Sequence, residues 1–195
     1  MAEFSKTCGR EPQLWRRLRA CAAPPHRPGL LLRCRVPAMS RTANISAGLL
    51  AFRRRDGLEV LLAHPGGPFW AKKDEGAWSV PKGLVEPGAD LLATARREFT
   101  EETNFSVTAL SGQFIALAPV KQKGGKIVHA WAFEADFDLA SFASNTFEIE
   151  WPPKSGRRQS FPEVDRIGYF PLALASLKIL SYQLPLLQEL ERRLA

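Results

Sequence analysis

The chain has 195 residues, of which 45% are hydrophobic and 24% are charged, with a formal net charge of +7. This length suits one domain with a sizeable core, and no apolar stretch approaches the ~18 residues that would indicate a membrane-spanning helix. The basic excess argues against a broad nucleic-acid-binding face, because residues 1–38 alone carry a net charge of +6 and residues 39–195 carry +1.

The segment 1–38 differs in composition from the rest of the chain. It is rich in Arg and Pro, lacks apolar periodicity and holds all the cysteines, which are Cys8, Cys21 and Cys34. We predict that it is a disordered extension or lies upstream of a true start at Met39, with one folded domain over residues 39–195. Because that domain contains no cysteine and needs no oxidation, a cytoplasmic location is expected.

Two apolar runs begin the domain, at residues 45–52 and 58–63. An Asp-Gly pair lies between them and favours a hairpin, because glycine tolerates the positive φ of the turn. Residues 64–76 are expected to form a long loop, since Gly and Pro interrupt the pattern there. Residues 77–80 are then predicted to form a short strand.

The clearest helix covers residues 90–103, where apolar side chains recur at three-to-four spacing. Asp90 is suited to cap its start, and Asn104 suits the left-handed backbone at its end. Two strands are predicted after it, at residues 105–120 and 127–135, followed by a short strand at 147–151 within a polar loop. A last strand at 166–170 and one or two helices over 172–194 complete the chain. This order predicts a mixed α+β fold with hairpins around one central helix.

The acidic end of this helix indicates chemistry. Glu98, Glu101 and Glu102 stand at i, i+3 and i+4, so their carboxylates project to one side of the helix. Like charges at this spacing repel each other, and a hard divalent cation such as Mg²⁺ or Mn²⁺ removes that penalty. Acidic residues on a helix are commonly just a solvated face, so the surrounding sequence has to decide between the two interpretations.

The surrounding sequence resembles the Nudix box. The segment 78–83 reads Trp-Ser-Val-Pro-Lys-Gly and ends shortly before the helix. The following residues match the family's fixed positions at the required spacings: Gly83, Arg97, Glu98, Phe99, Glu101, Glu102 and Phe105. Two positions depart from the pattern, since Ala89 stands where the box has its first Glu, beside Asp90, and Asn104 replaces the final Gly. The resemblance covers residues 43–194.

The resemblance implies an α/β/α sandwich around a mixed β-sheet, with the box helix facing the diphosphate of a substrate. It also implies Mg²⁺ or Mn²⁺ as the cofactor. The metal ligands carried over are the helix carboxylates Glu98, Glu101 and Glu102, with Gly83 lending its backbone carbonyl.

The reaction that the resemblance implies is hydrolysis of a diphosphate linkage by attack of a metal-activated water on phosphorus. The catalytic residues carried over from the box are Glu101, Glu102 and Arg97. Glu163, which lies in a later acidic segment, is a further candidate, because either it or a box glutamate can take the proton from the water.

Basic and aromatic side chains near the box are the candidates for substrate binding: Lys82, Lys72 and Trp70. The Trp-x-x-Pro-Lys-Gly segment resembles that of Nudix enzymes acting on diadenosine polyphosphates or diphosphoinositol polyphosphates. We therefore expect a small-molecule nucleotide substrate, with a dinucleoside polyphosphate as the first choice. ADP-ribose and the 5′ end of RNA remain alternatives, and so does a Nudix-like nucleotide-binding module without catalysis, which Ala89 favours.

Overall fold

The computed structural model of the protein describes residues 44–107, 114–122 and 124–195. The elements in these residues are, in chain order, β1 (Ile45–Arg54), β2 (Leu58–Pro65), β3 (Lys82–Leu84), α1 (Leu91–Thr103), β4 (Ile115–Ala116), β5 (Val120–Lys121), β6 (Ile127–Glu134), β7 (Thr146–Glu150), β8 (Arg158–Pro162), β9 (Val164–Pro171), α2 (Leu172–Lys178) and α3 (Leu184–Leu194). The predictions for residues 1–38 and for a start at Met39 lie outside the described residues.

One mixed sheet organises these elements. Its strand order is β4-β6-β1-β2-β9, with β3 paired to β1 and β5 paired to β6. β1 runs parallel to β6 and antiparallel to β2 and β3. The chain between β1 and β6 passes through α1, as a connection between parallel strands requires. Among the residues that the structure describes, β7 and β8 pair only with each other and form a separate hairpin.

The two faces of the sheet are covered by different helices. Successive residues of β1 point to opposite faces because of the pleat. Leu49 accordingly packs with Phe99 of α1, whereas Leu50 packs with Leu187 of α3. The predicted α+β fold, with helices on both sides of a mixed sheet, is therefore confirmed. No helix within the described segments is long and apolar enough to cross a membrane.

Helix α1 begins and ends at the residues that the sequence indicated. The Asp90 carboxylate accepts a hydrogen bond from the backbone N–H of Ala93 at 2.7 Å, and Asn104 adopts the left-handed conformation with φ of 63°. The carboxylate of Asp90 is thus engaged in capping the helix. Ala89, where the box pattern expects a glutamate, is exposed in the turn just before Asp90.

The short strand predicted at residues 77–80 is not a regular strand. Trp78 forms a single bridge with Ile179, and Ser79 forms one with Ala63. Backbone hydrogen bonds on two sides hold the segment, from Ser79 to Ala63 and from Trp78 to Lys178, and the Trp78 indole also donates to Asp74 at 2.7 Å. Regular pairing starts only at β3, where the chain reaches β1.

Two further predictions needed correction. The strand expected over residues 105–120 is limited, in the part that the structure describes, to the short strands β4 and β5 at the edge of β6. The polar segment after residue 141, expected to hold one short strand, contains the complete hairpin of β7 and β8. Its second strand includes Arg158, Gln159 and Ser160, so no apolar alternation marks it in the sequence.

A buried glutamine joins the segment before β3 to the closing helices. The Oε1 atom of Gln183, which is fully buried, accepts a hydrogen bond from the backbone N–H of Val80 at 2.9 Å. Its amide nitrogen donates to the hydroxyl of Tyr182 at 3.1 Å. This pairing satisfies a backbone donor that has no place in a sheet ladder, and so helps to fix the chain that leads to Gly83.

We expect Gln183→Leu to lower the free energy of unfolding by about 1–3 kcal/mol, because the Val80 N–H loses its acceptor inside the protein. Urea denaturation followed by circular dichroism measures this change. The matched control is Gln188→Leu on the exposed side of α3, which should have little effect. Equal losses in the two variants would contradict this role for Gln183.

Candidate active site

A close approach between β3 and α1 sets the geometry of the site. Gly83 pairs with Ala47 of β1, and its Cα faces the side chain of Glu98. A Cβ atom on Gly83 would lie 1.8 Å from the carboxyl carbon of Glu98, well inside contact distance. Only glycine therefore leaves room for the carboxylate at this position, which gives the box glycine a steric reason.

The three helix carboxylates are held by different partners. Arg97 donates to Glu98 at 2.5 Å and to Glu101 at 2.8 Å. Glu102 instead accepts the backbone N–H of Lys82 at 3.0 Å, which ties the helix to the loop before β3. The arginine of the box thus orients two carboxylates, and the third anchors the box loop.

Burial and mutual repulsion change the acidity of these groups. The pKa of Glu102 is raised to about 8, chiefly by burial and in smaller part by the carboxylates of Glu98 and Glu163, against the opposing effect of Lys82. Burial also raises the pKa of Glu98, although Arg97 acts in the opposite direction. Carboxyl groups that share a partly buried site in this way favour either protons or a bound cation.

Glu163 joins this cluster from a distant part of the sequence. It lies between β8 and β9, where its backbone N–H donates to Asn145 at 2.8 Å and its carbonyl accepts from Gly66 at 2.9 Å. Burial raises the pKa of Glu163, and the carboxylates of Glu98 and Glu101 raise it as well. The fourth acid is therefore within electrostatic range of the helix acids.

A buried histidine fixes the segment that carries Glu163. His64 is fully buried, and its Nδ1 lies 2.6 Å from a carboxylate oxygen of Asp165. Its Nε2 lies 2.8 Å from the backbone carbonyl of Lys73. The imidazole thus links the loop after β2 to the start of β9.

Two lysines face the same cluster. Burial, and then the charge of Lys82, lowers the pKa of Lys126 to about 8, while Glu102 and Glu98 act in the opposite direction. Within the described ranges neither Lys82 nor Lys126 forms an ion pair with a carboxylate. Their positive charges are therefore free to face an anionic ligand.

Sequence analysis did not identify Lys126. It precedes β6 in a Lys- and Gly-rich turn, and its place depends on the pairing of β6 with β1, in which Ile127 lies opposite Ile45. The two glycines of that turn carry no information about which strand lies beside β6. The local sequence therefore could not predict that Lys126 lies near the box.

Other predicted site residues lie apart from the carboxylates in the described contacts. Trp70 is partly buried against the core, and the ammonium group of Lys73 lies 4.4 Å from the centre of its ring. Lys72 is exposed on the same loop. Their roles in substrate binding stay predictions.

Two surface depressions of the described residues lie elsewhere. They surround Arg53 and Arg55, about 20 Å along β1 from the partner of Gly83. The charges there are already paired, since Arg53 contacts Glu59 at 2.6 Å and Arg55 contacts Asp136. The unpaired lysines and the crowded acids make the region of the box the better candidate for chemistry.

The donor set fits a hard divalent cation. Carboxylate oxygens and a backbone carbonyl are the ligands that Mg²⁺ and Mn²⁺ prefer. In the structure, Arg97 donates to a carboxylate oxygen of Glu98, and the Lys82 N–H donates to one of Glu102. In the described segments no three acidic, His or Cys side chains are close enough together to form a coordination shell as they stand. Glu98, Glu101 and Glu102 would need small side-chain rotations to hold such a cation together.

Sequence comparison agrees with this geometry. The NUDIX domain matches residues 43–188, which include the box, the cluster of acids and most of the closing helices. The chain belongs to the Nudix family. An RNA pyrophosphohydrolase of Caulobacter vibrioides is 36% identical over 66 residues, covering 31% of this chain. The matched part spans 38% of the length of that relative.

Solved structures show the same fold. An Ap4A hydrolase of C. elegans, in a binary complex, superposes with a TM-score of 0.54 at 22% identity over 76% of this Nudix chain and 97% of its own. The NUDIX domain of NrtR from Shewanella oneidensis, complexed with ADP ribose, gives 0.56 at 17% identity over 82% and 93% of the two chains. At these identities the likeness concerns the fold.

The burial of Glu102 predicts a pH-dependent stability of the metal-free protein. A carboxyl whose folded pKa is raised to about 8 holds a proton that the unfolded chain has already lost, so its contribution to stability disappears as the pH rises through about 8. Glu102→Gln cannot ionise. In EDTA we expect its Tm advantage over wild type to grow by about 3 °C or more between pH 5 and pH 8.

Thermal denaturation at a series of pH values measures this difference. The matched control is Glu101→Gln, an exposed position on the same helix. The burial account would be contradicted by an equal pH-dependent gain in both variants, or by no gain in Glu102→Gln.

Proposed function

We propose that this Nudix protein is a metal-dependent pyrophosphohydrolase that cleaves a diphosphate linkage in a nucleoside-diphosphate-type substrate. One observation carries the proposal: Glu98 of α1 packs against the box glycine, and the acids of α1 interact electrostatically with the distant acid Glu163 and with the lysines Lys82 and Lys126. Acids suit a cation and lysines suit phosphate oxygens, so together they match a metal-bound diphosphate.

In this proposal Glu98, Glu101 and Glu102 hold Mg²⁺ or Mn²⁺, with the carbonyl of Gly83 as a further ligand. The ion, when bound, offsets the negative charge of the diphosphate and acidifies the attacking water. Arg97 keeps the carboxylates of its two partners oriented through the hydrogen bonds it makes to them.

Glu163 is our candidate for the group that takes the proton from the attacking water. Its raised pKa, caused by burial and by the neighbouring carboxylates, makes it a stronger base than an exposed glutamate. Its backbone is held on both sides by Gly66 and Asn145, so the carboxylate starts from a fixed position. Glu101 or Glu102 is the alternative base.

The lysines stabilise the charge that builds up on the phosphate oxygens. Lys82 adjoins Gly83, and Lys126 reaches the cluster from the turn before β6. A substrate with several phosphates gains most from two unpaired cations, which supports a dinucleoside polyphosphate as the first choice. Lys72 and Trp70 remain candidates for contacts to more distant parts of the substrate.

We further propose that the catalytic domain comprises residues 39–195 and acts in the cytoplasm. Because these residues contain no cysteine, the domain forms no disulfide bonds that would require an oxidising compartment.

A nucleotide-binding module without catalysis is the second candidate. It is favoured by Ala89, which leaves the box without its first glutamate, while Asp90 is occupied with capping α1. Such a module would bind nucleotides and release no phosphate products.

A substrate panel distinguishes the two candidates. The panel holds diadenosine polyphosphates, ADP-ribose, nucleoside triphosphates, 5′-triphosphate RNA and diphosphoinositol phosphates, each with Mg²⁺ or Mn²⁺ and with products separated by chromatography. We expect metal-dependent cleavage of at least one compound, and a loss of about 100-fold or more in kcat/KM for Glu102→Gln.

The matched control for the panel is Glu191→Gln, an exposed acid on α3 that should keep full activity. Tight nucleotide binding without cleavage of any compound would favour the binding module. Equal activity in wild type and Glu102→Gln would identify the activity as that of a contaminant.

A further inference from the structure

The hairpin of β7 and β8 extends from the candidate active site without joining the main sheet. Its strands pair from Thr146 opposite Pro162 to Glu150 opposite Arg158, a length of about 16 Å. Its base is closed by the hydrogen bond between Glu163 and Asn145. The residue at which the hairpin returns to the sheet is thus the candidate base itself.

The loop after β2 packs along this hairpin. A Cβ atom on Gly66 would lie 2.0 Å from the carbonyl oxygen of Pro162, so the two backbones touch. The ring of Phe147 covers Gly67, where a Cβ would lie 3.1 Å from the ring. Further out, Phe69 meets Trp151 edge to face, with ring centres 5.3 Å apart.

These contacts create a cluster of aromatic side chains outside the two hydrophobic cores of the domain. We call this cluster the aromatic arm and define it as Phe69, Phe147, Trp151 and Phe161. Phe147 and Phe161 are neighbours across the hairpin, with ring centres 6.3 Å apart. None of the four belongs to either described core of the domain. Phe69 is 49% exposed, and Trp151 is partly exposed. Phe69 and Trp151 therefore present part of their ring surface to solvent.

The aromatic arm is within reach of a ligand bound at the carboxylates. Phe69 follows Gly66 by three residues, so their Cα atoms are at most about 11 Å apart. Gly66 itself contacts the carbonyl of Glu163 at 2.9 Å. Lys72 and Lys73 lie on the same loop and place positive charge along this path.

We propose that the aromatic arm is the subsite for the nucleobase of the substrate, with Phe69 and Trp151 as the rings that the base contacts. The inference rests on the proposed function, since it places the diphosphate at the carboxylates. A planar base suits exposed aromatic rings, because stacking and edge contacts need no particular hydrogen-bonding pattern. The arm would therefore accept different bases with similar affinity.

Two non-hydrolysable probes separate the base from the diphosphate. One is α,β-methylene-ADP, and the other is methylenediphosphonate, which has the same phosphorus groups and no nucleoside. Both are titrated with Mg²⁺ by calorimetry into the full-length chain and into Trp151→Ala, Trp151→Phe and Glu148→Ala. Glu148 lies on the exposed side of β7 and is the matched control, and circular dichroism checks that each variant is folded.

We expect Trp151→Ala to weaken binding of α,β-methylene-ADP by about tenfold or more, and to leave binding of methylenediphosphonate within about twofold of wild type. Trp151→Phe should restore most of the nucleotide affinity, and Glu148→Ala should change neither probe.

The inference would be overturned if Trp151→Ala weakened both probes equally, because the arm would then only support the fold of the site. It would also be overturned if wild type bound the nucleotide no more tightly than the base-free probe. Absence of hydrolysis in the substrate panel, with the difference between the probes intact, would refute the proposed catalysis and leave the nucleobase subsite standing.

Discussion

The contact between Gly83 and the carboxylate of Glu98 is the constraint on which the site depends. The space that a Cβ on residue 83 would need is filled by that carboxylate. The helix can approach β3 this closely only because the glycine pairs with β1 and carries no side chain. The approach brings Glu102 to the backbone N–H of Lys82, so that strand, loop and helix form one unit.

This approach concentrates negative charge in a partly buried place, which is unfavourable for an isolated protein. The raised pKa values of Glu98, Glu102 and Glu163 all express that cost, with burial as the first cause in each case. Arg97 offsets part of it at the surface of the helix. The electrostatic cost that Arg97 does not offset favours the binding of a divalent cation. A protein that uses such a cation at this site would keep these buried carboxylates even though they destabilise the metal-free fold.

The sequence predicted the local parts of the site well and the distant parts less completely. Helix α1, its two caps and the side on which Glu98 projects all follow from spacing within one short motif, where i, i+3 and i+4 positions share a face. Glu163 was suggested by its acidic surroundings, but its approach to Glu98 depends on how β9 pairs with β2. Lys126 was not recognised at all, because the register of two distant strands determines its position.

The same distinction explains the errors in the fold. The strand at residues 77–80 was inferred from apolar side chains, but Trp78 and its neighbours make single bridges on two sides and no ladder. β8 was missed because its polar residues resemble a loop, although cross-strand pairing with β7 holds it in an extended form. Apolar periodicity reports burial, and both segments owe their shape to hydrogen bonding with parts of the chain that the pattern does not reveal.

Binding of Mn²⁺ measured by electron paramagnetic resonance tests the central claim most directly, because the signal of the free ion falls as the ion binds and no turnover is needed. Wild type, Glu98→Gln and the remote control Glu148→Gln are titrated side by side. The account predicts that wild type and Glu148→Gln bind Mn²⁺ equally, and that Glu98→Gln loses affinity by at least about tenfold. Equal binding by Glu98→Gln and wild type, or no binding by wild type, would contradict a metal site at the box.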